Sequence, residues 1–508
     1  MKRGSITPFC AMSLMLIASL LFTLLEGARV YGLDCYAEMK AEAGMDSVCG
    51  EYQPFLWQQY GLLFLDGAYG TENFSMNYVT ESLENQLAAN FDADGEKQDE
   101  FGLDLFQLRT EELLLEGYSL ATDKKGDIFI KYVSERAKEN LPLGIAEDLY
   151  EEYQEMENLA KKYGGVEEAI REAKETLIEV ETAWERKQEE NIETTEEKSE
   201  EKSSKAEKPD TSILTNVFED VRKIQNSGVL NLIFADLSTI SQRKDLLRVD
   251  LQSRKKEEGT LHFEENSNWY QKLLVLSYME KFFSNYSSEK KEHFLNYEME
   301  YVVCGKDSDW ENLEGVLKKI MLMREASNVA YLLGDKEKMA LAEGLAGIVG
   351  LMAGENPGVV KVVQIGIIGA WAYMESVLDV RTLMAGGKIP LIKNEGEWTT
   401  ELTNLLAVFD KATKAKTCEK GLGYGDYLKQ VLFTMDYQKL AYRMMEVMEI
   451  GLRQVSEYEN CRMDHMIVAL EYKIKFRSQS VFSSLVSIGE QYEGNYYFSK
   501  NVKRSYVP

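Results

Sequence analysis

Apolar positions along the chain fall into several patterns, each implying a different element. From Phe9 to Leu25 they are continuous and uncharged, at the lower limit of the roughly 17 to 25 residues needed by a helix that crosses a bilayer. Directly afterwards Ala28, Val30, Leu33, Ala37, Ala41, Met45 and Val48 recur at helical spacing, so the helix is expected to continue outward as a stem. Its small residues suit close approach to another surface, either the chain's own exported body or a neighbouring subunit.

From Leu143 to Trp184 the apolar positions step by three and four: Ala146, Leu149, Tyr153, Met156, Ala160 and Tyr163, then Val166, Ile170, Ala173, Leu177, Val180 and Trp184. This predicts a coiled-coil or helical-hairpin arm with a break at Gly164-Gly165; the plainer alternative is an amphipathic helix lying on a globular body. Arg186 to Asp210 holds one aliphatic residue, Ile192, among Glu, Lys, Ser and Thr, too little apolar surface to offset ordering, which predicts a solvated linker. A return helix is expected to include Thr215 to Val221.

The C-terminal half reads as mixed α and β. Leu295, Tyr297, Met299, Tyr301 and Val303 alternate, as do Met466, Val468, Leu470, Tyr472, Ile474 and Phe476, and both runs predict half-buried strands. Helices are predicted over Trp310–Leu333, Lys336–Met352, Val359–Leu383 and Tyr427–Gln454. Lys361, Gln364, Glu375, Asp379 and Arg381 interrupt the third of these, so it is expected to be a buried core helix and not a second span. Ala346, Gly350 and Gly354, and Gly366 with Ala370, sit four apart, a spacing for close helix contact. Gly386 is expected to end the third helix, with Ile389-Pro390-Leu391 leaving it extended.

The fold class expected is therefore α+β, mostly helical, with a small mixed sheet covered by long helices. Its parts are a cytoplasmic tip (1–8), a transmembrane helix (9–25), a membrane-proximal stem (26–65), the first part of an exported body (66–142), the arm (143–185), the linker (186–211) and the main body (212–508). Lys2 and Arg3 hold the tip inside and send the bulk of the chain outside the cell membrane. A cleavable signal has a core of about 7 to 15 residues and a small-residue cleavage site. This longer run exits through Leu24, Leu25 and Glu26, so a retained anchor is expected, with Glu26 and Arg29 marking where the helix meets water.

Charge and chemistry narrow the function classes. Of 508 residues, 85 are Asp or Glu against 58 Lys or Arg, a formal net charge of -27, which repels a phosphate backbone and argues against a nucleic-acid partner. The three histidines, His262, His293 and His465, show no zinc-ligand spacing. No nucleophile elbow, phosphate-binding loop or dinucleotide fingerprint is present. Asp92-Ala93-Asp94-Gly95 opens like a calcium loop but lacks the closing bidentate Glu, and reads as an acidic turn. The cysteines, Cys10, Cys35, Cys49, Cys304, Cys418 and Cys461, have no paired spacing. No catalytic, cofactor-binding or metal-ligating residue is assigned, and an enzyme is not expected.

Several short stretches carry a resemblance. Gly4-Ser5-Ile6-Thr7 precedes the apolar run and Leu25-Glu26-Gly27-Ala28-Arg29-Val30 follows it; then come Ala37-Glu38-Met39, Met45-Asp46-Ser47-Val48 and Gln59-Tyr60-Gly61-Leu62-Leu63-Phe64-Leu65-Asp66. Further on stand Gly305-Lys306-Asp307-Ser308-Asp309-Trp310-Glu311-Asn312-Leu313, Ala370-Trp371-Ala372-Tyr373-Met374-Glu375-Ser376 and Gly386-Gly387-Lys388-Ile389-Pro390-Leu391. Together they look like an uncharacterised bacterial membrane-anchored family that resembles the pseudopilin-like subunits of tight-adherence pilus systems. The resemblance implies a structural or accessory subunit of a pilus-like or secretion assembly, partnered by the bilayer and by pilus subunits or by its own copies through the stem. A processed prepilin would carry Glu where this chain has Phe9, so prepilin cleavage is not implied. The alternative is a cell-surface binding or adhesion protein, with the arm holding a recognition surface away from the membrane.

Overall fold

The computed structural model describes residues 6–91, 106–196, 208–244, 249–261, 268–288, 293–402, 408, 410–482 and 494–507. Asp92 to Gly95, His262, the first five residues of the tip and residues 197–207 of the expected linker lie outside this set. The chain divides into two compact units: unit 1 is Met1–Arg136 with Val249–Ser267 and Met448–Pro508, and unit 2 is Ala137–Arg248 with Asn268–Val447. Residues 212–508, read from sequence as one body, therefore contribute to both. The class is α+β and mostly helical.

Unit 1 is built on one long helix and a small sheet. Helix α1 runs unbroken from Ile6 to Cys49, 44 residues. It is followed by α2 (Pro54–Tyr60), strand β1 (Leu65–Asp66), α3 (Met76–Phe91), β2 (Arg109–Leu120) and α4 (Asp127–Ala137). Strands β3 (Met466–Gln479) and β4 (Asn495–Ser505) complete the sheet from the C-terminus. β3 is central and pairs antiparallel with β1, β2 and β4, so the sheet is antiparallel throughout and not mixed. The alternation read from Met466 to Phe476 is real: all six apolar residues are buried. Their face carries Leu470, Tyr472, Ile474 and Phe476 into a core shared with Leu33, Ala37, Ala41, Met45 and Val48 of α1 and Val79, Leu83 and Leu87 of α3. Close packing explains the small residues of the stem: a Cβ on Gly44 would stand 2.5 Å from Leu87 Cδ2. Of the two surfaces open to the stem, its own unit takes this face.

Unit 2 is a helical body around α11 (Asp309–Gly334) and α13 (Pro357–Met384). The other elements are α5 (Leu143–Tyr163), α6 (Val166–Glu196), α7 (Ser212–Asn226), α8 (Val229–Ile233), α9 (Trp269–Phe282), α10 (Glu298–Cys304), α12 (Lys336–Met352) and α14 (Tyr424–Phe433), with residues 437–447 of α15 (Tyr437–Arg453). α11, α12 and α13 lie where the periodicity put them. α13 is buried from Gly366 to Met384, the core helix expected despite its length and apolarity. Pro357 at its first turn and the Asn356 side chain, which accepts from Gly358 N, start it; Gly386 at φ 83° stops it.

Four expectations are corrected. The arm is not free-standing: the chain does break at Gly164-Gly165, but α5 packs on α11 and α6 lies along α13. The plainer alternative holds because Val166, Ile170, Ala173 and Leu177 meet a small-residue face; a Cβ on Gly366 would come within 2.1 Å of Ala173 Cβ. The first part of the expected linker is helical, since α6 continues through Arg186 to Glu196. The run from His293 to Val303 is not a strand; its second half is α10, in which Glu298 and Glu300 are as buried as Met299 and Tyr301 beside them. The period of two was therefore a chemical alternation, not one of exposure. Finally, Tyr427–Gln454 is two helices, because the Asp436 carboxylate accepts from Gln438 N and Lys439 N and starts a new one at Tyr437.

Candidate functional site

The strongest candidate for a functional element is the first half of α1. It is the longest helix among the described residues, and an 18-residue apolar window within it has no part buried against the rest of the protein. Phe9, Leu14, Leu16, Leu20 and Leu24 are each more than half exposed. Such a length of uncovered apolar helix is unfavourable in water and stable in hydrocarbon. α13, the other helix apolar enough for a span, has 61% of its window buried.

Where α1 enters unit 1 it is clamped. Arg29 Nη1 pairs with Glu26 Oε1 at 2.9 Å, and Arg29 Nη2 donates to Ser478 Oγ (2.7 Å) and to the Phe106 carbonyl (3.0 Å). Phe482 N donates to the other oxygen of Glu26 at 2.7 Å, and its ring stacks on Phe22 with centroids 6.2 Å apart. Glu26 and Arg29 are thus buried, at 4% and 7% exposure, and are not the water-facing boundary expected from sequence. A charged pair this well bonded holds the helix in one direction as it leaves the domain, because misplacing either group strands the other without solvent. One residue signal was available: two opposite charges three apart at the end of an apolar run.

The histidines and cysteines do not converge on one site among the described residues. His293 Nδ1 meets Glu298 Oε2 at 2.7 Å inside unit 2, while His465 is buried in unit 1. Among the described residues, no three His, Cys, Asp or Glu side chains are grouped as a metal ion requires. The cysteines are free thiols; burial raises Cys49 to about 11 and Cys461 to about 12, which keeps both in the unreactive thiol form. The better-formed hollows of unit 2, about 650 and 670 Å³, are open surface grooves, one along α5 beside Ala330 and one between α12 and α13.

What sequence reading missed is a fully buried charge cluster in unit 2. Arg324 Nε donates to Asp379 Oδ2 (3.0 Å), and its Nη1 donates to the carbonyls of Pro390 (2.8 Å) and Leu391 (2.9 Å) and to Tyr427 Oη (2.8 Å). Lys393 bridges Asp379 Oδ1 (2.5 Å) and Glu375, whose carboxylate also accepts from Thr399 N and Thr400 N. The four charged side chains have 0% exposure. Glu375 and Asp379 lie one turn apart on α13, so they present both carboxylates on one side. Two cations against two anions, with carbonyls and a phenol on the remaining donors, make a lock that holds residues 390–400 to α11 and α13.

Two other buried acids lack such partners. Glu300 accepts from Tyr286 N and Tyr424 Oη on one oxygen only, and Glu325 has an oxygen with no hydrogen bond. Desolvation raises Glu300 to about 7 and Glu325 to about 8. Each therefore holds a proton when folded that it loses when unfolded above its ordinary 4.5. Stability from these groups is full below that value and falls as pH rises towards about 8. The melting temperature should be several degrees higher near pH 5.5 than near pH 8.5, and Glu325→Gln should flatten the profile. An unchanged slope in that variant would show that Glu325 does not contribute to it.

The architecture is a long N-terminal helix, apolar enough in its first half to be a candidate membrane span, set into a small α+β unit, with a helical body inserted in the chain. A family profile matches residues 204–478, more than half the chain, and the protein belongs to that family, a family of unknown function designated DUF5702. The match does not reach α1. No curated protein and no solved structure matches.

Proposed function

We propose that the protein is a single-pass membrane protein whose short N-terminal tip is cytoplasmic and whose bulk lies outside, serving as a structural or accessory subunit of a pilus-like or secretion assembly in the envelope and not as an enzyme. The observation that carries this is α1 itself. One helix of 44 residues is uncovered in its apolar first half and is core to unit 1 in its second. A cleaved leader has no reason to be rigidly continuous with the domain it delivers, whereas an anchor that positions a domain does. Lys2 and Arg3 before the run support the orientation. The surface-binding alternative loses its motive, because α5 and α6 cover α11 and α13 and hold nothing at a distance.

The protein should stay with the membrane pellet after alkaline carbonate extraction, and a membrane-impermeant maleimide should label exposed Cys35 in intact cells. N-terminal sequencing should give Met1, or Ser5 after loss of the tip. A start between Glu26 and Tyr36 would mean a cleaved signal and would end this reading. Recovery of the protein with sheared surface filaments would make it a filament subunit; retention in the envelope with co-purifying assembly components would make it an accessory one.

A further inference from the structure

In the sheet of unit 1 one face is core and the other is open. Residues that alternate with the buried ones meet in rows across β2, β3 and β4: Arg109, Arg477 and Tyr497; then Glu112, Lys475 and Ser499; then Leu114, Lys473 and Asn501. Those on β2 and β4 are exposed, Tyr497 at 61%, and those on the central strand are half-buried. In the second row Lys475 pairs with Glu112 and has Glu111 nearby. The first row has no acid. Arg109 and Arg477 stand directly opposite each other, and among the described residues neither side chain has an ion pair or a hydrogen bond. Like charges in register across two strands are destabilising, and a chain with a net charge of -27 has acids to spare. Two guanidinium groups left together in such a protein call for an anion from outside the chain, and their paired N–H donors fit the oxygens of a phosphate.

The depth of this row is set by α1. Lys500 of β4 reaches Asp34 at 3.0 Å and Arg504 pairs with Asp46, while Ser478, the register partner of Tyr496, accepts from Arg29. From Arg29 to Asp46 is about 25 Å along a helix at 1.5 Å per residue, and from Tyr496 to Arg504 is about 26 Å along a strand at roughly 3.3 Å per residue. The strands therefore run alongside α1, and their end at Arg109, Arg477 and Tyr497 is the one nearest its apolar half. Phe482 stacks on Phe22 inside the apolar run, and Arg29 follows Leu25, the last residue of that run, by about 6 Å of helix. The headgroup layer is roughly 5 to 8 Å deep on each side of the hydrocarbon, so the row stands within it.

We propose that the row of Arg109, Arg477 and Tyr497 binds the phosphate of an anionic phospholipid in the bilayer that holds α1, seating this end of the sheet on the membrane surface. This rests on the anchor reading. Position selects lipid over a soluble anion, because the Arg29 bond to Ser478 and the stacking of Phe482 on Phe22 fix the row at headgroup depth. Charge selects an anionic lipid over a zwitterionic one, whose own cation would be brought up to the two arginines. Tyr497 takes the place of an interfacial aromatic, its ring at the acyl boundary and its hydroxyl among the headgroups.

The test uses the full-length protein in detergent micelles doped with dioleoyl phosphatidylglycerol or with dioleoyl phosphatidylcholine. Its melting temperature should be a few degrees higher with the anionic lipid, and the double variant Arg109→Gln with Arg477→Gln should lose that gain. In phosphatidylcholine the same variant should melt no lower than the parent, because a like-charge contact has been removed. Depth is read separately in proteoliposomes containing phosphatidylglycerol, with the exposed Cys10 and Cys35 replaced by serine. A fluorophore on Ser499→Cys, one row out from Tyr497, should be quenched by lipid spin-labelled at the headgroup, and one on Lys503→Cys, about 13 Å further along the strand, should not. Equal melting in the two lipids, a gain that survives the double substitution, the same gain from inorganic phosphate, or an unquenched label at position 499 would each overturn the proposal while leaving the anchor reading intact. Loss of the protein from the carbonate pellet would instead defeat the anchor, and the seating with it.

Discussion

Removing residues 1–25 should leave a water-soluble protein with both units folded, whereas removing residues 1–49 should unfold unit 1. The first cut takes the uncovered part of α1, whose loss to unit 1 is the Phe22 ring stacked on Phe482 and no residue of the buried core. It spares Glu26 and Arg29, so the ion pair and the hydrogen bonds to Ser478, Phe106 and Phe482 N survive. The second cut removes Leu33, Ala37, Ala41, Met45 and Val48 from the layer over the sheet. At about 1.5 to 3 kcal/mol for burying each larger aliphatic side chain, and less for alanine, the loss is on the order of 10 kcal/mol. That equals the roughly 5 to 15 kcal/mol by which a whole domain is stable. Amide exchange across β3 reads the outcome: protection retained in the shorter truncation and lost in the longer one. Protection in both would mean that α3 alone closes the sheet and that the stem is an appendage.

What was legible in the sequence is what local chemistry controls. Uncharged length gave the uncovered apolar half of α1, the three-four period gave α5 and α6 with their break at Gly164-Gly165, and the alternation from Met466 gave β3. Burial direction was less legible. The seam of α6 is periodic whether it pairs in an arm or lies on α13, and only the facing Gly366 and Gly369 decide it. These stand in another helix, far along the chain. The same limit explains α10. Glu298 and Glu300 look like solvent-facing residues until His293, Ser284 N, Tyr286 N and Tyr424 supply their bonds. Non-local partners turn polar positions into core, and no window of sequence contains them.

The charge cluster in unit 2 shows the largest consequence of that non-locality. Glu375 and Asp379 were visible as interruptions of an apolar helix, while Arg324 and Lys393 were two unremarkable basic residues in other segments. Brought together with 0% exposure, they balance in charge, and desolvation penalises any change that leaves a cation alone. Burial alone would push the Asp379 carboxyl up; Lys393 and Arg324 beside it outweigh that and hold it below its ordinary value, so it stays charged in the folded protein. Its contribution is present above the ordinary carboxylate range and is lost as pH falls through the lowered value.

Asp379→Ala should therefore be among the most destabilising single changes in the chain, costing about 3 to 5 kcal/mol, the usual penalty for breaking a buried pair. Asp379→Asn keeps the shape and the bond from Asn328 Nδ2 at 3.0 Å but leaves two buried cations against the single charge of Glu375, and should cost nearly as much. Adding Lys393→Gln to Asp379→Asn restores neutrality, with Arg324 balanced by Glu375. The double variant should then be less destabilised than the sum of the two singles, a coupling that double-mutant cycles detect for residues in one network. Urea unfolding of the form lacking residues 1–25 measures all four states under one condition. Additive costs would show that the four groups act as separate fillers of a polar cavity, and that residues 390–400 are held by packing around Trp398 and not by the charges beneath it.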